Sequence, residues 1–200
     1  LPANYVGFMK AYQETVEALL KGDAQVSGGL AEARQWRADR ANSAAVAPLL
    51  GGIKWNQMAP YNNMCPSYNG TNRAVTGCVA TAMAQVMMYY QYPKELKATI
   101  KAYTAKSYGI QIPEISSGAT YDWDNMLPDY SKSDYNSAQA DAVAKLMYHC
   151  GAAVKMNYGP SSGANVTPII LATYFGYDAD LMQDLTRTVF TLQQWMTLID

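Results

Sequence analysis

The 200-residue sequence is poor in the residues that metal sites and disulfide frameworks require, with one histidine and three cysteines. The cysteines are Cys65, Cys78 and Cys150, so at most one disulfide could form and the chain is not a disulfide-rich scaffold. No Cys-x-x-Cys pair is present, and one histidine among scattered cysteines does not make a zinc site. The sequence therefore gives no reason to expect a metal or another cofactor.

The sequence also lacks an excess of charge of either sign, because it has 15 lysines and arginines and 16 aspartates and glutamates. A nucleic-acid-binding surface or a polybasic membrane patch needs clustered positive charge that this composition does not supply. No apolar run approaches the ~18 residues of a membrane span, and the first ten residues lack the order of a secretory signal. We therefore expect neither a nucleic acid nor a membrane as a partner.

The character of the chain changes at the small-residue stretch of residues 42–46. Before it, residues 4–22 have the apolar spacing of an amphipathic helix, and a Gly-rich break and a polar segment follow. After it come Gly, Pro and Asn turns with aromatic residues. Exposed junctions of small residues are frequent sites of proteolytic cutting. The sequence therefore predicts two parts, residues 1–42 and 43–200, with a cutting site between them.

The second part mixes helices with short strands, which predicts an α+β fold. The strongest helix is predicted from Gly77 to about Gln91, ended by Pro93. A second helix is expected to start at a Ser or Asp within residues 133–137 and to end just before Gly151. Further helices are predicted at 166–177 and from 191, and strands at 98–105 and 108–112. The last helical pattern is incomplete, so we expect the sequence to continue in the full gene product. The predicted buried stripe of the first helix consists of Val79, Ala82, Met83, Val86, Met87 and Tyr90.

Cys78 lies at the predicted N-terminus of that first helix. Unpaired backbone N–H groups and the helix dipole converge there, and both stabilise a thiolate and can hold an oxyanion. Gly77 permits close approach of a substrate to the backbone. A cysteine in this position is either a nucleophile or an inert buried residue, and residue chemistry alone favours the inert one.

The segment "TGCVATAMAQVMMYYQYP" resembles the nucleophile segment of the streptopain family of papain-like cysteine peptidases. "IKWNQMAPYN", "YDWDNMLPDY" and "LMYHCGAAVKMNYGPSSGAN" are similar to further segments of that family in the same order. "NYVGFMKAYQETVEALLKG" resembles the end of its inhibitory propeptide. The resemblance covers nearly the whole chain.

The resemblance implies a papain-like α+β fold, in which a helical half carries the nucleophile and an antiparallel sheet half carries the base. Residues 1–42 would be the C-terminal part of the propeptide, and 43–200 the N-terminal part of the catalytic domain. The implied activity is endopeptidase cleavage of protein or peptide substrates through a thioester. The implied location is secreted or at the cell surface, and the propeptide is itself an implied partner.

The resemblance also assigns roles to individual residues. Cys78 matches the nucleophile, and Gln57 matches the glutamine that forms the oxyanion hole with the backbone amide of Cys78. A side-chain amide and a helix-terminal N–H are suitable donors for that purpose. Ser161, Ser162 and Gly163 match a segment that borders the non-primed substrate cleft. Without the resemblance, Gln57 would be interpreted as an exposed turn residue and the three loop residues as an ordinary turn.

The general base is the part of this chemistry that the chain does not supply. The only imidazole, His149, lies near the end of a predicted helix, where a capping or buried role is more typical. The family's histidine belongs to a Gly-Gly-His-Ala type segment, which does not occur in these 200 residues. We therefore expect residues 1–200 alone to be inactive, with the base in a continuation of the gene product or in a second chain. The alternative is a non-catalytic inhibitor or binding module that keeps the peptidase scaffold.

Other polar and sulfur-containing residues have less specific interpretations. Asp122 and Asp124 flank Trp123 and could be paired carboxylates, but a turn with aspartate caps is the favoured interpretation. Cys65 and Cys150 match no functional role and are expected to be structural, with Cys65 open to exposure in its Pro-rich loop.

Overall fold

The computed structural model describes residues 48–182, 185, 187–191 and 194–195. The predicted helix at 4–22, the predicted division at residue 42 and the predicted cutting site lie outside the described residues. Most of the predicted helix from 191 also lies outside them. The described residues belong to one compact unit, Pro48–Asp200.

The described part of the chain contains helices and a small antiparallel sheet, in agreement with the α+β prediction. Within that part, the three α-helices and two strands are α1 (Cys78–Tyr90), β1 (Tyr103–Ala105), β2 (Ile110–Ile112), α2 (Ser137–Ala153) and α3 (Pro168–Phe175). Short 3-10 turns occur at Trp123–Asn125 and Arg187–Val189. Strands β1 and β2 form an antiparallel hairpin in which Tyr103 lies opposite Ile112. All five elements occur where the sequence predicts them, with differences at their ends.

Helix α1 buries a different stripe from the predicted one. Of the predicted stripe, Met83 and Met87 are buried, but Val86 and Tyr90 are 36% and 57% exposed. Apolar residues lie on most faces of this helix, so their spacing did not select one face. The small side chains of Ala80 and Ala84 are fully buried, and α1 packs against α2. The buried residues of the helix are Ala80, Thr81, Met83, Ala84, Met87 and Met88.

The C-terminus of α1 is set by Gln91 rather than by Pro93. Gln91 adopts a left-handed conformation with φ 47°, and its N–H donates to the carbonyls of Met87 and Met88. A left-handed residue of this kind ends a helix by pairing its last free carbonyls. Helix α1 therefore ends at Tyr90, before the chain reaches Pro93.

Helix α2 begins and ends at residues that the sequence analysis did not select. Its N-cap is Asn136, whose Oδ1 accepts from the N–H of Gln139 at 2.9 Å, while Gln139 Oε1 accepts from the N–H of Asn136 at 2.9 Å. This reciprocal capping box replaces the predicted Ser or Asp start. Gly151 lies inside the helix instead of after it, and the hydroxyl of Tyr158 packs where a Cβ at this residue would lie. The predicted end at Gly151 was therefore wrong.

The remaining elements follow their local signals. Helix α3 has Pro168 at its start and Gly176 as a left-handed cap with φ 71°, in agreement with the asymmetry of proline and glycine at helix ends. Asp122 and Asp124 are both exposed around a 3-10 turn, and Asp122 accepts a hydrogen bond from Asn125 at 2.8 Å. These aspartates therefore belong to a turn, as the favoured interpretation predicts.

Candidate active site

Cys78 is the first residue of α1 and the one exposed cysteine of the three. The N-cap residue is Gly77, which has no side chain to cap the first turn. The first backbone hydrogen bond of the helix runs from the N–H of Thr81 to the carbonyl of Gly77 at 3.1 Å. The N–H groups that precede Thr81 have no partner within the helix, so they are donors for a negative charge beside the thiol.

Gly77 is required by close packing as well as by its backbone. It has φ 88°, and a Cβ there would lie 2.5 Å from Cε and 2.6 Å from Sδ of Met156. The same Cβ would lie 3.3 Å from Cβ of Ser162. The close approach that the sequence predicts at Gly77 is therefore made by side chains of the protein.

The segment that leads into α1 is fixed on both sides. The N–H of Thr76 donates to the carbonyl of Gln57 at 3.2 Å, and the N–H of Val75 donates to the carbonyl of Gly159 at 3.2 Å. The hydroxyls of Thr76 and Thr81 are buried and 2.9 Å apart, and that of Thr81 also donates to the Gly77 carbonyl. These contacts place Gln57 and the Gly159 loop on either side of the segment before Cys78.

A pocket of about 370 Å³ lies at this junction. It brings together Cys78, Gln57, Ser161 and Ser162, which are four of the five residues selected from the sequence. Gly163 is not among its lining residues; it is exposed and accepts a hydrogen bond from the N–H of Asn157 at 2.9 Å. The other two lining residues, which the sequence analysis missed, are Val75 and Pro160.

The two missed residues differ in what could have found them. Pro160 directly precedes Ser161, so the loop containing the predicted serines already pointed to it. Val75 reaches the pocket because the segment before α1 lies against the Gly159 loop, and nothing in its sequence neighbourhood indicates that contact.

The pocket loop, residues 157–163, is connected to the β1–β2 turn. Asn157 accepts a hydrogen bond from the N–H of Ser107 at 3.0 Å and donates one to the Ser107 hydroxyl at 2.7 Å. The ring of Tyr108 packs on Gly159, where a Cβ would lie 2.8 Å from Cε2 of the ring. The hairpin thus supports one wall of the pocket, a role that the sequence did not indicate.

His149 lies in α2 and is not among the residues that line the pocket. The side chain is buried, and its Nδ1 is 3.1 Å from the hydroxyl of Tyr121. Burial lowers the pKa of His149 to about 4, and the charge of Lys145 acts in the same direction. A buried imidazole that resists protonation is poorly suited to the thiolate–imidazolium pair of a cysteine peptidase.

Sequence and structure comparisons connect this site with known proteins. The profile described as the Peptidase C10 family matches residues 55–200, which include every residue that lines the pocket. The chain belongs to the Peptidase C10 family. Streptopain of Streptococcus pyogenes is 35% identical over 217 residues, a span that covers 98% of this chain and 52% of the streptopain. This C10 chain therefore spans about half the length of the curated streptopains that it matches.

Solved structures extend the same relationship to the fold. Active wild-type interpain A, a cysteine protease of Prevotella intermedia, matches with TM-score 0.65 and 38% identity over 74% of this chain and 61% of the other. A mutant prointerpain A fragment of P. intermedia matches with TM-score 0.66 and 33% identity over 84% and 58% of the two chains. The papain-like α+β fold expected from the sequence is confirmed by these cysteine protease structures.

A more distant relative is the thiol protease/hemagglutinin PrtT of Porphyromonas gingivalis. It is 25% identical over 209 residues, which cover 100% of this C10 chain and 24% of PrtT. PrtT is therefore less similar to this C10 chain than streptopain and interpain A are.

The two other cysteines of the C10 chain are chemically protected. Cys65 is 1% exposed, which agrees with the structural role expected for it and excludes the exposure that its Pro-rich loop had left open. Burial raises the pKa of the Cys65 thiol to about 12, against an opposing effect of Arg73. Burial also raises the pKa of Cys150, whose Sγ contacts Sδ of Met87 at 3.6 Å. Both thiols are core residues, and Cys78 differs from them in being accessible.

The described residues contain neither a metal-binding cluster nor a helix suited to a membrane. No group of three or more His, Cys, Asp or Glu side chains among them could hold a metal ion. In the same part of the chain, no helix has the length and apolar character to cross a membrane.

Proposed function

We propose that this C10 chain carries the nucleophilic half of a cysteine endopeptidase, with Cys78 as the nucleophile. The observation that carries the proposal is one pocket lined both by Gln57 and by an exposed cysteine at an uncapped helix N-terminus. An accessible thiol, a helix dipole and nearby amide donors are three of the parts that acyl transfer to cysteine requires, and a general base is the fourth.

The reaction would proceed by attack of the Cys78 thiolate on the carbonyl carbon of a peptide bond. The carbonyl electron pair moves to oxygen, and the Cys78 backbone N–H and the Gln57 side-chain amide stabilise the resulting oxyanion. Collapse of this intermediate breaks the C–N bond, the amine leaves with a proton, and a thioester on Cys78 remains. Water then attacks the thioester and releases the acid, which regenerates the thiol. Ser161, Ser162 and Gly163 border the substrate cleft in this proposal.

The proton transfers need a base outside residues 1–200. We place it in a histidine of a further segment of a longer protein, or of a second chain, because His149 is buried away from the pocket lining and paired with Tyr121. The share of the streptopain length that the chain matches leaves room for such a segment. Residues 1–200 alone are then inactive as a peptidase.

Residues 1–42 are proposed to be the end of an inhibitory propeptide, removed near residues 42–46 in a secreted or cell-surface enzyme. The change of composition there supports this, as does the larger share of the chain matched by the prointerpain A fragment than by active interpain A. N-terminal sequencing of the active enzyme tests it. Retention of residues 1–40 at full activity would contradict a propeptide role.

Alkylation of Cys78 tests the proposed nucleophile directly in residues 1–200. Iodoacetamide at pH 6 is expected to label Cys78 faster in the folded chain than in the same chain unfolded in urea, because the unpaired N–H groups at the start of α1 stabilise negative charge on the attacking sulfur. The unfolded chain is the proper reference, because burial alone slows the alkylation of Cys65 and Cys150 in the folded chain. Equal rates for Cys78 in the two states would refute an activated nucleophile and leave a non-catalytic module.

Peptidase assays test the position of the base. Residues 1–200 are expected to give no turnover of a protein substrate, and the longer protein to give turnover that Cys78→Ser abolishes. In the longer protein, Gln57→Ala is expected to lower kcat by roughly 10²–10³, as the loss of one oxyanion donor does. Turnover by residues 1–200 that His149→Gln abolishes would instead identify His149 as the base.

A further inference from the structure

We infer that Ser162 is a positioning residue whose hydroxyl fixes the segment before Cys78 against the pocket loop. This inference rests on the proposed function of Cys78 and gives Ser162 a role other than direct contact with substrate. Ser162 lines the pocket, yet it is 8% exposed. Its neighbour Ser161, in contrast, is exposed.

The hydrogen bonds of the Ser162 hydroxyl connect two backbone segments. Its Oγ donates to the carbonyl of Val75 at 2.6 Å and accepts from the N–H of Gly159 at 3.1 Å. The Gly159 carbonyl, at 3.2 Å, is a more distant acceptor for the same proton. A hydroxyl has one proton to donate. With that proton directed at Val75, Ser162 has none left for a substrate.

Val75 and Gly159 are joined by one direct backbone hydrogen bond and by a bridge through the Ser162 hydroxyl. In an antiparallel hydrogen-bonded pair, two opposite residues exchange both of their N–H to carbonyl bonds. Here the N–H of Val75 reaches the Gly159 carbonyl directly at 3.2 Å. The reciprocal bond, from Gly159 to the Val75 carbonyl, is replaced by two bonds through Ser162. The hydroxyl therefore determines the separation of the two segments on one side.

This separation affects the nucleophile because the same short segment continues into α1. The residue after Val75 is Thr76, whose N–H donates to the carbonyl of Gln57. The next residue is Gly77, against which Ser162 also packs, and Cys78 follows. Loss of the hydroxyl leaves the Val75 carbonyl and the buried Gly159 N–H without these partners, which costs free energy because buried polar groups need partners. The segment before Cys78, which also binds the Gln57 carbonyl through Thr76, is then held less firmly against the pocket loop.

The matched experiment deletes one buried hydroxyl in the pocket and one outside it. Ser162→Ala removes the bridge between Val75 and Gly159. Tyr121→Phe is the control, because it removes a buried hydroxyl that pairs with His149 away from the pocket lining. Both variants are expected to lower the urea midpoint of residues 1–200. The informative measurement is the rate of Cys78 alkylation by iodoacetamide at pH 6 in each folded variant.

Ser162→Ala is expected to slow Cys78 alkylation about 3- to 10-fold, the range that the loss of one hydrogen bond supports. Tyr121→Phe is expected to stay within about twofold of the parent chain, since its hydroxyl does not touch the segment before Cys78. A Ser162→Ala rate that is indistinguishable from the parent rate, or above it, overturns the inference while the proposed nucleophile stands. A parent Cys78 that is no faster than in the unfolded chain refutes both.

The longer peptidase gives a second readout. There, Ser162→Ala is expected to lower kcat with little change in KM, because a misplaced nucleophile and oxyanion hole weaken the transition state rather than substrate binding. A change confined to KM would mean direct substrate contact and would overturn the positioning role.

Discussion

Replacement of Gly77 by alanine should strongly destabilise the fold, because two separate costs meet at this residue. The first is backbone strain, since φ 88° is a conformation that residues with a Cβ rarely adopt. Such strain costs on the order of 1–3 kcal/mol. The second is overpacking, since the new Cβ would lie 2.5 Å from Cε of Met156. Overpacking in a filled site typically costs about 1–3 kcal/mol.

The two costs together predict a loss of about 2–6 kcal/mol for Gly77→Ala. At a urea dependence of about 2 kcal/mol per M, the unfolding midpoint falls by about 1–3 M. The assay is urea unfolding of residues 1–200 followed by tryptophan fluorescence, because Trp55 and Trp123 are buried in the unit that contains the site.

Two other glycines of the chain separate the costs. Gly118 has φ 83°, and a Cβ added there would have no neighbour within 4 Å, so Gly118→Ala tests strain alone. Gly163 has neither a positive φ nor a neighbour within 4 Å of such a Cβ. Gly163→Ala should therefore be neutral or stabilising by up to about 1 kcal/mol. If Gly77→Ala costs no more than Gly118→Ala, Met156 moves aside freely and the packing argument is refuted. If it costs no more than Gly163→Ala, the conformational argument also fails.

Two further predictions concern titratable side chains. A thiol reagent at pH 8 should modify Cys78 rapidly in the native chain. It should reach Cys65 and Cys150 only on unfolding, because both thiols are buried. Rapid modification of all three thiols in the native chain would contradict the burial of Cys65 and Cys150. Acid should destabilise the fold between about pH 6.5 and pH 4, because the unfolded chain protonates His149 near 6.5 whereas its pKa in the folded chain is about 4. The loss in the free energy of unfolding approaches about 3 kcal/mol at pH 4. Urea midpoints measured across this pH range should fall with pH, and His149→Gln should make that fall less steep.

The difference between the predicted and observed stripes of α1 shows what residue spacing can resolve. Spacing located the helix and its first residue, because Gly77 and the apolar run that follows are local signals. It did not select the buried face, because apolar residues surround the helix and the packing partner decides among them. The buried side chain of Met87 contacts Cys150 of α2, which lies 63 residues further along the sequence.

Gly151 and Cys65 illustrate the same limit at single residues. A glycine near the end of a helical pattern usually predicts a stop, yet Gly151 is helical and the Tyr158 hydroxyl packs where its Cβ would lie. A cysteine in a Pro-rich loop suggests exposure, yet Cys65 is buried in the core. In both cases the packing of the folded chain differs from what the local pattern predicts.

The sequence by itself determined the elements, the resemblance to streptopain-type peptidases, and the place of Cys78 at the start of a helix. These follow from local chemistry: helix periodicity, caps, and the order of matching segments along the chain. The resemblance predicted that Gln57 and the serine loop lie near Cys78. Only the tertiary structure shows that Gln57, Ser161 and Ser162 line one pocket with Cys78, that Val75 and Pro160 complete its lining, and that Tyr121 is the partner of His149. The physical reason is that burial and hydrogen-bond partners are set by contacts between distant segments, which residue spacing does not encode.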